Sequence, residues 1–213
     1  MLAGGEGTRL GFDKSELEIG GELTLYRVLE VLGEFFSQLL VVTPRPLVPW
    51  PTAKPGRLPS GVALVADRWP GAGPLGALHT GLEAADDELS FVAACDLPFL
   101  SPEFVGRLLD LAAGFDVVLP RARDGLHPLC AVYRRTCLPP IAQALAAGTR
   151  RVISFYPSVR VRALSEEELR AIDPELLSLH NINTPADLRR AEEIANATGG
   201  SHARAGSSCR SAG

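Results

Sequence analysis

Short apolar runs alternate along the chain with longer stretches whose apolar residues recur at helical spacing. The runs Leu39–Thr43, Val62–Ala66, Phe91–Ala94, Val117–Leu119, Leu129–Tyr133 and Val159–Ala163 predict strands. Between them, Thr24–Phe36, Gly76–Ala85, Pro102–Ala113, Leu138–Ala147 and Pro185–Ala197 predict helices. Ser101-Pro102 and Thr184-Pro185 each set a capping residue before a proline at the first helical position. A continuous apolar strand such as Phe91-Val92-Ala93-Ala94 suits a sheet covered on both faces. Alternation with helices then implies parallel βαβ units, so the expected architecture is α/β, a three-layer α/β/α sandwich with a mostly parallel sheet. The closely spaced strands around 117–133 predict a local antiparallel excursion.

The two ends break this rhythm. A glycine loop at Gly4–Gly7 should follow a buried strand, yet only Met1-Leu2-Ala3 precedes it. Either the first strand is very short or residues upstream are missing, and the second reading is favoured. Thr198–Gly213 is rich in glycine, serine and alanine, with two arginines and no acid, and is expected to be a disordered tail. Residues 1–197 are expected to form one domain.

Composition narrows the class. The chain has 213 residues, 46% of them hydrophobic and 22% charged, as in ordinary globular proteins. Its formal net charge of −4 argues against nucleic acid or an anionic membrane as a general partner. Cys95, Cys130, Cys137 and Cys209 form no CxxC pair and no His-spaced cluster, which argues against a zinc site or redox dithiol. No apolar run approaches the ~20 residues of a membrane helix, and no basic-then-apolar leader opens the chain. A cytoplasmic protein is expected. Only Lys14 and Lys54 are lysines, against 19 arginines, so a lysine at a chemically telling place stands out.

Lys14 is at such a place. In Leu2-Ala3-Gly4-Gly5-Glu6-Gly7-Thr8-Arg9-Leu10-Gly11-Phe12-Asp13-Lys14, glycines let backbone N–H groups approach a polyphosphate, and Arg9 and Lys14 add full charges. A glycine-rich surface turn is the alternative, and no Gly-Lys-Ser/Thr closes a Walker loop. Asp96, in Cys95-Asp96-Leu97-Pro98 after an apolar strand, stands where open α/β sheets gather ligands and could hold Mg²⁺. Asp67 follows Val62–Ala66 in an equivalent place; for either aspartate a turn or helix cap is the competing role. Gly71-Ala72-Gly73-Pro74-Leu75-Gly76 fits a loop over a ligand or a plain strand-to-helix connection. His127-Pro128, Arg150-Arg151 and Asn181-Ile182-Asn183-Thr184-Pro185 are weak signals individually, although Asn181 and Asn183 alternate toward one face.

Together these motifs closely resemble the molybdenum cofactor guanylyltransferases, the MobA family. The family's LAGG-x-x-x-R-[LM]-G-x-DK opening is matched from Leu2 to Lys14, and its PGPL-x-G segment by Gly73-Pro74-Leu75-x-Ala77. CD-x-P is matched by Cys95–Pro98 and HP by His127-Pro128. G-x-RR is matched by Gly148–Arg151, and N-x-NTP-x-[DE] by Asn181–Asp187. One nucleotide position departs: where relatives often carry asparagine after the second strand, this chain reads Val42-Thr43-Pro44.

The resemblance implies a Rossmann-like nucleotidyltransferase fold and GMP transfer from GTP to the terminal phosphate of molybdopterin or molybdenum cofactor, releasing pyrophosphate. It implies nucleotide contacts at Leu2, Ala3, Gly4, Gly5, Lys14, Asp67 and Asp96, and Mg²⁺ on Asp96. Catalytic roles fall to Arg9, Lys14 and Asp96, while His127, Arg150, Arg151, Asn181 and Asn183 would line the pterin side. Transient contact with other cofactor-biosynthesis proteins or molybdoenzyme chaperones is also implied. The rival readings are a related enzyme using another nucleotide or acceptor, of cytidylyltransferase or sugar-phosphate type, and a non-catalytic nucleotide-binding relative.

Overall fold

The computed structural model describes residues 1–3, 17–44 and 61–205, with side chains described as far as Ala197. In chain order the elements are β1 (Glu18–Ile19), β2 (Glu22–Leu23), α1 (Thr24–Gly33), β3 (Leu39–Thr43), β4 (Val62–Ala66), α2 (Gly73–Ala84), β5 (Leu89–Ala93) and α3 (Pro102–Asp110). There follow β6 (Val117–Ala122), β7 (Gly125–Leu126), β8 (Cys130–Arg134), α4 (Leu138–Ala146), β9 (Val161–Leu164), α5 (Glu166–Arg170) and α6 (Pro185–Ala205). The expected strands and helices are all present, with ends shifted by a few residues.

The extended segments stand in the order β4, β3, Met1–Ala3, β5, β8, β6, β9. β3 and β4 are parallel, and Leu2 makes parallel bridges to Val42 on one side and Ala94 on the other. The N–H of Leu2 donates to Ala93 O (2.8 Å), that of Ala3 to Val42 O (2.9 Å), and that of Val42 to Met1 O (2.9 Å). Met1–Ala3 therefore hold the place between β3 and β5 in the sheet. β8 runs antiparallel to both β5 and β6, while β9 is parallel to β6. This is the anticipated antiparallel excursion inside an otherwise parallel row.

Side chains one apart on a strand point to opposite faces, and the core follows that period. Met1, Ala3, Leu39, Val41, Phe91, Ala93, Val118, Cys130 and Val132 pack on one face with α1, α3 and α5. Leu2, Val42, Val92, Val117, Leu119, Ala131 and Tyr133 face the other way, onto α2, α4 and the 3-10 turn Val152–Ser158. Helices thus cover both faces and complete the three layers.

Two details differ from the sequence reading. The β1–β2 hairpin was not anticipated, because two-residue strands are too short to show a period. It turns through Gly20 and Gly21, both with positive φ, and its Leu17 and Ile19 pack with Ile182 and Ala191 to anchor α6. Helix α6 also runs to Ala205, eight residues past its expected end at Ala197. Propagating a nucleated helix is inexpensive. Residues 206–213 lie outside the described residues.

Candidate functional site

In a parallel sheet the strands' carboxyl ends leave backbone groups and loops free for a ligand, and of the expected nucleotide residues Leu2, Ala3, Asp67 and Asp96 lie there. Thr43 closes β3, and its carbonyl accepts the Asp67 N–H at 2.8 Å, which fixes Asp67 one step beyond β4. Asp67 Oδ1 accepts the Trp69 N–H at 2.9 Å and lies 3.0 Å from the buried Thr80 hydroxyl. One carboxylate oxygen therefore shapes the turn into α2, the capping role weighed from the sequence, and Oδ2 makes no hydrogen bond among the described residues. The departure at Val42-Thr43-Pro44 falls where β3 ends, beside Asp67.

Asp96 lies three residues past β5 and is only 6% exposed. Its loop is tied down on three sides. Leu2 donates to Ala93 O just before it, and Ala94 N–H donates to Leu129 O (2.8 Å). Ile182 N–H donates to the backbone carbonyl of Asp96 itself (3.2 Å). These bonds bring the His127-Pro128 turn and the Asn181–Asn183 segment against the aspartate loop, three stretches far apart in sequence.

His127 is 8% exposed and its Nε2 lies 2.9 Å from Asp124 Oδ1, so Nε2 carries the proton and the ring is oriented by the carboxylate. Asn181 is half-buried and Asn183 exposed. The rest of that motif is structural. Thr184 and Asp187 cap α6 reciprocally, with Asp187 Oδ2 accepting the N–H groups of Asn183 (3.0 Å) and Thr184 (2.8 Å). Burial works to raise the Asp187 pKa, but the capping N–H groups outweigh it and hold the carboxyl below its ordinary value. Arg150 and Arg151 are exposed, make no ion pair among the described residues, and lead into the turn Val152–Ser158.

Leu2 and Ala3 are buried, and their N–H groups are both used by neighbouring strands, so a nucleotide reaching them would meet carbonyl oxygens. Gly4, Gly5, Arg9 and Lys14 lie outside the described residues. The sequence reading missed Asp124, although its i, i+3 spacing to His127 was a legible signal. It also missed Ile182, whose backbone contact leaves no mark in sequence.

No group of three or more His, Cys, Asp or Glu side chains is arranged to hold a metal among the described residues. That donor set still suits Mg²⁺, which usually takes one or two carboxylates and fills its shell with phosphate oxygens and water. The buried carboxylate of Asp96 is a donor of that kind.

Comparison with known proteins agrees with this geometry. A family model described as a MobA-like NTP transferase domain matches residues 1–161. A probable molybdenum cofactor guanylyltransferase of Pelotomaculum thermopropionicum is 37% identical over 195 residues, 92% of this chain and 91% of the relative. A molybdenum cofactor guanylyltransferase of Desulfosudis oleivorans is 35% identical over 194 residues, 90% of this chain and 92% of its own. The crystal structure of molybdopterin-guanine dinucleotide biosynthesis protein A from Archaeoglobus fulgidus superposes with a TM-score of 0.76 at 31% identity, covering 92% of this chain and 97% of that one. The 2-C-methyl-D-erythritol 4-phosphate cytidylyltransferase of Thermus thermophilus shares the fold at 20% identity and TM-score 0.66. With the family model spanning three-quarters of the chain and the relatives nearly all of it, the chain belongs to the MobA-like NTP transferase family and is a nucleotidyltransferase.

Proposed function

We propose that this enzyme transfers GMP from GTP to the terminal phosphate of molybdopterin, or of the molybdenum cofactor, in the cytoplasm. The reading is supported above all by one juxtaposition. The Asp96 loop is hydrogen-bonded through Ala94 to Leu129 and through its own carbonyl to Ile182. A nucleotide on the aspartate side and an acceptor along His127, Asn181 and Asn183 would therefore be neighbours.

An acceptor phosphate oxygen attacks the α-phosphorus of GTP. A new P–O bond forms, the bond from the α-phosphorus to the α,β-bridging oxygen breaks, and pyrophosphate leaves with that oxygen. A phosphate monoester is already anionic at neutral pH, so no general base is required. Little covalent work remains for the protein, and catalysis is positioning together with neutralisation of charge. Asp96 would hold Mg²⁺, which supplies charge neutralisation on the triphosphate. Arg9 and Lys14, given to the phosphates by the family motif, would offset charge on the departing pyrophosphate. The exposed Arg150 and Arg151 would grip the acceptor's anionic groups, and His127, oriented by Asp124, would line the acceptor side.

The test is pyrophosphate release from GTP with Mg²⁺ and molybdopterin, run beside CTP. GTP should be consumed and CTP spared. Asp96→Ala should lose roughly 100-fold or more in turnover, the scale of removing a group aimed at developing charge, while keeping the wild-type circular dichroism spectrum. Consumption of CTP instead of GTP would overturn the guanylyl assignment, and near-wild-type turnover of the variant would remove Asp96 from its role.

A further inference from the structure

The mechanism leaves unused a pair of tyrosine hydroxyls buried behind the acceptor side. Tyr133, in the middle of β8, is fully buried and donates its hydroxyl proton to the carbonyl of Pro128 at 2.8 Å. The hydroxyl of Tyr156 lies 2.9 Å from that of Tyr133. A tyrosine has one hydroxyl proton. With Tyr133's proton directed to Pro128, the bond between the two hydroxyls must use the proton of Tyr156. The result is a directed chain, Tyr156 to Tyr133 to Pro128.

The ends of this chain matter. Pro128 follows His127, and Tyr156 lies on the 3-10 turn that Arg151 leads into. The two acceptor-side walls are carried by different elements and are joined here through side chains. Packing alone does not require the hydroxyls. The Phe155 ring sits 6.4 Å from that of Tyr133 and 5.1 Å from that of Tyr156, at 89° to the latter, so the aromatic contacts survive without oxygen. Burial pushes both phenols up, which keeps both protons available as donors.

We propose that Tyr133 and Tyr156 are positioning residues for the acceptor, holding the His127-Pro128 turn and the Arg150-Arg151 segment at a fixed separation. The inference rests on the assignment of those residues to the acceptor side. Without the relay the turn can move by fractions of an ångström, and a site of this kind loses function when its support loosens.

Steady-state kinetics with GTP and molybdopterin decide it, using Tyr156→Phe, Tyr133→Phe, His127→Ala and Arg151→Ala. Both phenylalanine variants should raise the acceptor KM roughly 3- to 10-fold, the size of one neutral hydrogen bond, and leave the GTP KM within about twofold. A purely structural role predicts a lowered Tm with both KM values unmoved or moved together, and that result would overturn the proposal. If His127→Ala and Arg151→Ala raise the acceptor KM while the phenylalanine variants do not, the relay alone fails. If none of the four changes it, the acceptor-side assignment itself falls and takes the relay with it. Should Tyr133→Phe not fold, Tyr156→Phe decides, since it removes only the outer bond at a half-buried residue.

Discussion

A Cβ placed on Gly76 would lie 2.7 Å from Trp69 Cβ and 2.9 Å from Ala72 Cβ, distances that real side chains do not tolerate. Gly76 thus lets the first turn of α2 close onto the segment that begins at Asp67. Gly76→Ala should lower stability by about 1–3 kcal/mol, the usual penalty of overpacking, and should raise the GTP KM by displacing Trp69 and with it the Asp67 turn. Urea unfolding and nucleotide titration measure the two effects; an unchanged midpoint would mean that the loop yields without strain. Asp67 itself is held by the turn that it caps. One oxygen builds the turn, and the other makes no hydrogen bond among the described residues. In the C-terminal motif Thr184 and Asp187 likewise serve the helix cap, while Asn181 and Asn183 precede it.

Among the elements, the join between β6 and β9 turns on one carboxylate. Asp116 precedes β6 and accepts from Arg160 N (2.9 Å), Arg160 Nε (3.0 Å) and the Thr136 hydroxyl (2.8 Å). It thereby clamps the start of β9 and the turn after β8 to one point. Hydrogen bonding from the Arg160 guanidinium holds its carboxyl well below the ordinary carboxylate range, against the opposing effect of burial. A depressed carboxylate stabilises the fold fully above the unfolded pKa of about 4. As pH falls below that value the unfolded chain takes the proton first, and the stabilisation drains away until native Asp116 protonates too. Asp116→Asn should therefore lose about 2 kcal/mol at pH 7, and its stability should fall less than that of wild type between pH 5 and pH 3. Equal pH slopes in denaturant melts would exclude Asp116 as the source.

That clamp was invisible in the sequence because its partners are 20 and 44 residues away. What the sequence did carry was local. Apolar runs of three to five residues gave the strands, Ser101-Pro102 and Thr184-Pro185 gave two helix starts, and continuous apolar strands gave the covered sheet. The row of Asp67 and Asp96 at strand ends was legible for the same reason, since a strand's end is a local feature. Which segments meet was not. Ile182 reaches the Asp96 carbonyl through a backbone bond, and Tyr156 reaches Tyr133 through a tertiary one. The Met1–Ala3 segment is central because Leu2 bridges to β3 on one side and to Ala94 on the other.

At the scale of the whole molecule, that short segment has a consequence for ligand binding. β3 and β4 form one ladder and β5, β8, β6 and β9 another, and the described backbone pairing that joins them passes through Leu2. Helices and apolar packing also span the junction, with Val42 and Val92 in one cluster with α2. Even so, the described hydrogen-bonded seam is confined to Met1–Ala3. The expected nucleotide contacts straddle it, with Asp67 on the β4 side, Asp96 on the β5 side, and Leu2 and Ala3 between. A ligand that binds only the folded state stabilises by mass action, about 2.7 kcal/mol at a concentration 100 times its Kd. GTP with Mg²⁺ should therefore raise the Tm by several degrees, CTP should not, and Asp96→Ala should lose the Mg²⁺-dependent part. The amides of Leu2, Ala3 and Val42 should gain hydrogen-exchange protection beyond that of β6 and β8, because they form the seam that the nucleotide closes. Uniform protection across all strands would mean that the two ladders already open as one unit, and that the nucleotide adds stability without bracing the joint.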